Sequence, residues 1–171
     1  MRLETSRLSL RRLSADDAGF ILRLLNEPSF LRYVGDKGVR TRDDAARYIE
    51  TGPLESYRRL GFGLFVVELR ATGAPIGICG LLKREALADP DLGFAFAAAF
   101  QRKGYAFESA AAILAEARSA WGLERIVAIT TEENDASVQL LGKLGFTFEG
   151  TVRLSESGPP LRLFGRSLAA G

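Results

Sequence analysis

The chain has 171 residues, 47% of them apolar, which suits one domain over residues 1–171 that buries a core without disulfide or metal staples. Its 23 bases and 21 acids leave a net charge of +2, too even for a surface built to grip nucleic acid or an anionic membrane. A lone cysteine allows no internal disulfide, and the absence of histidine excludes Ser-His-Asp and Cys-His machinery and disfavours zinc.

Residues 8–13 begin with the apolar–polar alternation of a half-buried strand. Ser14 and Asp17 form a capping-box pattern, and Ala18, Ile21, Leu22, Leu24 and Leu25 follow at helical spacing until Asn26 and Pro28. Thr41 and Asp44 repeat that signal before Ala45, Tyr48 and Ile49. Gly52-Pro53 then reads as a stop, with a further helical turn over 54–60. Residues 62–69 and 75–82 are short apolar, β-branched runs on either side of Ala71-Thr72-Gly73, the pattern of an antiparallel hairpin. A strand at 91–96 comes next. Phe107, Ala110, Ala111, Leu114, Ala117 and Trp121 signal a long helix closed by Gly122. A strand at 125–131, a helix at 136–144 closed by Gly145, and strands at 146–152 and 161–168 complete the chain. The order predicts a mixed α/β, or α+β, domain with antiparallel pairs early and a strand–helix–strand crossover later. No run is apolar enough to span a bilayer, and the charged start Met1-Arg2-Leu3-Glu4 lacks a signal-peptide core, so a cytoplasmic setting away from membranes is expected.

The stretch Gln101-Arg102-Lys103-Gly104-Tyr105-Ala106 lies between a predicted strand and the long helix. A helix start presents amides without intrahelical partners and a partial positive charge, so a loop entering it can cradle phosphate where the backbone comes close. Gly104 permits that approach, and Arg102 and Lys103 add charge. A pyrophosphate site built mainly from main-chain donors follows. Neither G-x-x-x-x-G-K-[ST] nor G-x-G-x-x-G after a strand occurs, which disfavours P-loop and Rossmann enzymes.

Gln101, Gly104 and Ala106 meet the Q/R-x-x-G-x-G/A signature of the GCN5-related N-acetyltransferases (GNAT), which the chain resembles. Asp91-Leu92-Gly93-Phe94 and the pair Asn134-Asp135-Ala136-Ser137 and Leu144-Gly145-Phe146 look like the E-I-G-Y and N-x-x-S…L-G-F motifs of its ribosomal-protein N-terminal acetyltransferase (RimJ/RimL-like) branch. The resemblance covers nearly the whole chain. It implies a central, mostly antiparallel sheet of six to seven strands, about four flanking helices and a V-shaped split between the fourth and fifth strands. Acetyl-CoA would lie in that split as cosubstrate, with no metal.

On this resemblance, the main chain of Phe96, Ala97 and Ala98 bonds the pantetheine arm and the thioester carbonyl, while Gln101, Arg102, Lys103, Gly104, Tyr105 and Ala106 bind the pyrophosphate. Asn134 contacts the pantetheine or simply caps its helix, and both can hold. Ser137 is the candidate catalytic residue at the departing thiolate, and Asp91 the candidate base for the acceptor amine. Asp91 reads equally as a solvated carboxylate at a strand edge, and Ser137 as an ordinary first-turn serine. Phe30, Tyr33 and Tyr48 either line the acceptor pocket or pack in the core, and Cys79 reads as core. Ala97-Ala98-Ala99-Phe100 departs from the branch's A-P-E-Y, which puts loop rigidity and acceptor choice in doubt.

The expected activity is transfer of an acetyl group to an amine, at a protein N-terminus or on a small molecule, with no nucleic-acid or membrane partner. A homodimer is a family-level expectation only. A CoA-binding sensor or scaffold without turnover is the competing class. A basic RNA-binding domain would need an aromatic strand surface that is not displayed.

Overall fold

In the computed structural model, which describes residues 2–169, eight strands form one sheet in the order β1-β2-β3-β4-β5-β6-β8-β7. They are β1 (Arg2–Glu4), β2 (Leu8–Arg12), β3 (Leu64–Leu69), β4 (Pro75–Leu82), β5 (Asp91–Phe96), β6 (Arg125–Thr130), β7 (Thr147–Val152) and β8 (Leu161–Ser167). Every neighbouring pair is antiparallel except β5 and β6. The sheet is larger than the six to seven strands expected. Strand β1 is only three residues long, too short for a period to emerge, and it is held by pairing with β2. The split expected between the fourth and fifth strands lies between β5 and β6, since β1 moves each later strand up by one.

The helices are α1 (Ala18–Leu25), α2 (Pro28–Tyr33), α3 (Arg42–Ile49), α4 (Glu55–Leu60), α5 (Tyr105–Ser119) and α6 (Asp135–Lys143). Both capping boxes form. Asp17 accepts from Ser14 N–H at 2.9 Å, and Thr41 and Asp44 accept each other's main-chain N–H at 3.0 and 3.2 Å. Gly52-Pro53 is not the stop that the sequence suggests. A π-helical turn over Glu50–Leu54 carries α3 on into α4, its wider ring accommodating the proline that lacks an N–H. The described residues therefore hold five helical bodies, rather than about four.

Alternation along β3 divides the core between two faces. Phe65 and Val67 meet Ala110, Ile113, Leu114 and Leu141 from α5 and α6, whereas Leu64 and Val66 meet Ile21, Leu24, Ala45 and Ile49 from α1 and α3. Removing a side chain the size of Phe65 from water contributes about 2–3 kcal/mol. Phe65 also stacks on Trp121, just past the end of α5, with ring centroids 6.0 Å apart. Cys79 lies in this core, fully buried, and burial pushes its thiol up to about 12.

Candidate active site

Strands β5 and β6 are joined only at their beginnings. One parallel bridge pairs Asp91 with Val127, and Val127 N–H donates to Pro90 C=O at 3.0 Å; beyond that point the strands separate. Odd-numbered residues of β5 point their main-chain groups at β4, as Ala97 N–H to Ile76 C=O at 2.9 Å shows. The alternation leaves the main-chain groups of Phe94 and Phe96 directed at the gap. A cavity of about 720 Å³ runs through it, bounded by Gly93 and Ala95 on one side and Ala128 and Thr130 on the other, and widens toward α2, α3 and α4. Two hydroxyls at the open end of β6, Thr130 Oγ1 and Thr131 Oγ1, are buried without a hydrogen-bond partner.

At the mouth of the gap, Gln101–Ala106 leads into α5. Gly104 is the N-cap with φ +83°, a left-handed conformation that favours glycine, and Arg102 is the one non-glycine among the described residues with positive φ, at 62°. The chain thereby turns twice, and the amides of residues 102–107 find no protein acceptor among the described residues. Six successive N–H groups at the start of a 15-residue helix form a nest for an anion. The side chains of Arg102 and Lys103 are exposed beside it.

The loop is braced from a distance. Arg7, in the β1–β2 turn, donates to Lys103 C=O at 3.0 Å and to Glu108 at 2.8 Å, and its guanidinium covers the Tyr105 ring at 4.4 Å. Glu108 also accepts from Thr5 Oγ1 at 2.5 Å and Arg7 N–H at 2.9 Å. Burial tends to raise the Glu108 carboxyl, but these donors outweigh it and hold it below the ordinary range. The sequence reading missed this brace, because its members are about a hundred residues apart. Gln101 also positions the loop, its side-chain amide donating to Phe96 C=O at 2.9 Å and Ser29 Oγ at 3.2 Å.

Ala97 and Ala98, expected to bond the ligand through their main chain, have both amides engaged within the protein. Ala97 N–H is spent on Ile76, and Ala98 N–H donates to the Glu27 carboxylate at 2.9 Å. Phe94, not singled out by the sequence, directs its main-chain groups at the gap as Phe96 does; strand alternation was the available signal. The turn Ala98–Phe100 is a short 3₁₀ helix pinned by Glu27 and Gln101 even without the branch's proline.

On the other side of the gap, Asn134 caps α6, its side-chain oxygen accepting Ser137 N–H at 3.2 Å. Its NH2 and the Ser137 hydroxyl have no protein partner among the described residues, and both residues line the cavity. Asp91, at the start of β5, lines the cavity from the opposite side, but not as a solvated edge carboxylate. It is 1% exposed, and Arg84 Nε donates to its two oxygens at 3.2 and 3.3 Å. Burial raises its pKa, and Arg84 only partly offsets the effect. Phe30, Tyr33 and Tyr48 border the cavity too, with Phe30 also packed into the core of the α1 and α3 face.

The site thus combines a gap between two diverging strands, faced by main-chain groups of β5, with a nest of free amides at the start of α5. Residues 7–147 match the family model described as an acetyltransferase (GNAT) domain, and the chain belongs to that family, whose members carry out acetyl-CoA-dependent acyl transfer. It is 29% identical over 162 residues to the uncharacterized N-acetyltransferase YoaA of Bacillus subtilis (strain 168), spanning 92% of this chain and 90% of that one. Among solved structures, an acetyltransferase from Agrobacterium tumefaciens str. C58 superposes with a TM-score of 0.82 at 22% identity, covering 97% of this chain and 94% of that one. RimL, a ribosomal alpha-N-protein acetyltransferase in complex with coenzyme A, does so with 0.84 at 16% identity, covering 98% of each. No group of histidine, cysteine, aspartate and glutamate that could hold a metal occurs among the described residues, and no described helix is long and apolar enough to cross a membrane.

Proposed function

We propose that the protein transfers the acetyl group of acetyl-CoA to a primary amine by direct attack in a ternary complex. The observation that carries this reading is the run of six unpartnered amides at 102–107, opening α5 beside the gap between β5 and β6. Those amides, with Arg102 and Lys103, take the diphosphate. Main-chain groups of Phe94 and Phe96 and the free NH2 of Asn134 hold the pantetheine arm. The Phe96 N–H is the donor for the carbonyl oxygen as negative charge develops on it.

Ser137 Oγ donates a hydrogen bond to the departing sulfur. Serine is a weak acid and a thiol titrates near about 8.5, so stabilising the thiolate asks less of this hydroxyl than delivering a proton would. Direct attack is favoured because the chain has no histidine and its one thiol, on Cys79, is buried and nearly un-ionised at neutral pH. Freeing an α-amine of its proton at pH 7.4 costs about 1 kcal/mol, against about 4 kcal/mol for a lysine side chain. An α-amine therefore needs only modest help, and Asp91, with its raised pKa, takes the proton through water.

The test is release of CoA thiol from acetyl-CoA in the presence of a panel of amines, alongside calorimetric titration with acetyl-CoA. Wild type releases thiol only with an amine present, and Ser137→Ala lowers kcat about tenfold with the Kd for acetyl-CoA unchanged. Tight binding with no amine-dependent release from any acceptor would instead make the protein a CoA-binding sensor or scaffold.

A further inference from the structure

The acceptor side of the cavity carries more positive charge than the coenzyme accounts for. Its wall holds Arg32, Lys37, Arg59, Lys83 and Arg84 against two acids, Glu55 and Asp91. The diphosphate nest lies at the far mouth of the gap, so these bases are not part of it. Lys83 is already spent, its Nζ donating to the carbonyls of Leu87 at 2.6 Å and Arg84 at 3.0 Å. Arg32 leans out to Glu133 at 3.7 Å.

Lys37 and Arg84 differ from these. Arg84 uses only Nε on Asp91, which leaves both Nη groups without a protein acceptor among the described residues; its side chain is 31% exposed and lines the cavity. Lys37, in the connection between α2 and α3, has no ion pair or hydrogen bond from its Nζ among those residues, although it lies close enough to Arg84 and Asp91 for all three charges to interact. Lys37 is an exposed residue whose amine partial burial and Arg84 both shift down, while burial raises the Tyr48 hydroxyl. Asp91 cancels one of the two cations. One unbalanced positive charge and a free guanidinium fork remain, a geometry that matches the two oxygens of a carboxylate or phosphate.

Resting on the acetyltransferase reading above, we propose that the acceptor is an amine that carries its own anionic group, held by Lys37 Nζ and the Arg84 Nη groups while its nitrogen is presented to the gap. Specificity in this enzyme then comes from the charge on the acceptor beyond the reacting nitrogen. A neutral amine of the same shape leaves the one positive charge that Asp91 does not balance uncompensated.

Two measurements on the full chain test this. In the first, thiol release is followed with each of the common α-amino acids supplied as the free acid and as its amide, at saturating acetyl-CoA. The best free acid exceeds its amide by at least about tenfold in kcat/KM, and Lys37→Glu brings that ratio to about one or below, mainly through KM. Lys37 is chosen because its replacement leaves the buried Asp91–Arg84 pair intact. Equal use of acid and amide by the wild type, or a ratio unmoved in Lys37→Glu, overturns the proposal.

The second measurement needs no turnover, so it separates failure of this proposal from failure of the acetyltransferase reading. With the protein saturated with CoA, inorganic phosphate at tens of millimolar raises the Tm of wild type by about 2 °C more than that of Lys37→Gln. Equal shifts in the two proteins overturn the anion site, whatever the first assay returns.

Discussion

The two parts of the candidate site are built on opposite principles. The nest at the start of α5 is made of main chain, set by Gly104 and Arg102 in left-handed conformations and braced by Arg7 and Glu108. The acceptor wall is made of side chains, Lys37, Tyr48, Arg84 and Asp91, brought together from a connecting loop, a helix, a second loop and a strand start. Main-chain donors are disturbed only where a substitution changes the backbone's shape, whereas each charge on the wall can be exchanged singly. On the function proposed above, coenzyme binding rests on backbone shape and acceptor choice on exchangeable side chains.

The comparison breaks most visibly at Gly104. Gly104→Val forces a β-branched residue to φ +83°, with its Cβ 3.2 Å from Arg7 Nη2, and costs the loop its shape. Calorimetry is expected to show about 100-fold weaker acetyl-CoA binding with the melting temperature of the fold little changed. Equal affinity would mean that the main chain is not the donor set. Glu108→Gln comes next, weakening acetyl-CoA about tenfold by loosening Thr5 and Arg7 from the loop.

Protonation sharpens the same contrast, because Glu108 by the nest and Asp91 on the cavity wall are shifted in opposite directions. Glu108 is held below its ordinary pKa, so its contribution to stability is present above the unfolded value and is lost as pH falls through the folded one. Asp91 is raised, so its charged form is disfavoured by the fold and stability declines as pH rises from the ordinary carboxylate range through its folded pKa. Urea unfolding between pH 3 and 7 should show Glu108→Gln with less acid-induced loss than wild type, and Asp91→Asn without the decline on the alkaline side. A common slope in both variants would contradict the assignment. The smallest effect is expected from Arg102→Ala with Lys103→Ala. Two exposed bases supply about threefold in affinity for acetyl-CoA, vanishing at high salt. A larger loss there would move the nest from main chain to side chains.

What could be read from the sequence follows the same division. Gln101, Gly104 and Ala106 are contiguous and carry a backbone requirement, so the nest is legible as a motif; Asn134 and Ser137 sit one helical turn apart and are legible for the same reason. The apolar runs of β3 and β4 are legible as strands, although the division of their side chains between two core faces is not marked by any alternation in the sequence. Lys37 and Arg84 have no period and no neighbouring signal, and only the fold brings them near each other. Glu27 reaching Ala98, and Thr5 and Arg7 reaching Glu108, are equally silent, since a pairing across 71 or about 100 residues leaves no local trace. The insertion of β8 between β6 and β7 is likewise a matter of tertiary packing. Asp91 misled because a carboxylate opening a strand ordinarily meets water, and only the approach of Arg84 lets it be buried.

Trp121 is the sole indole in the chain, stacked on Phe65 and 5.6 Å from the Phe62 ring. The length of α5, about 22 Å, separates it from the nest. Its fluorescence therefore works as an internal gauge of whether the large core is intact, insensitive to what fills the cleft, and each variant named above can be certified as folded by light emission before its affinity or rate is judged.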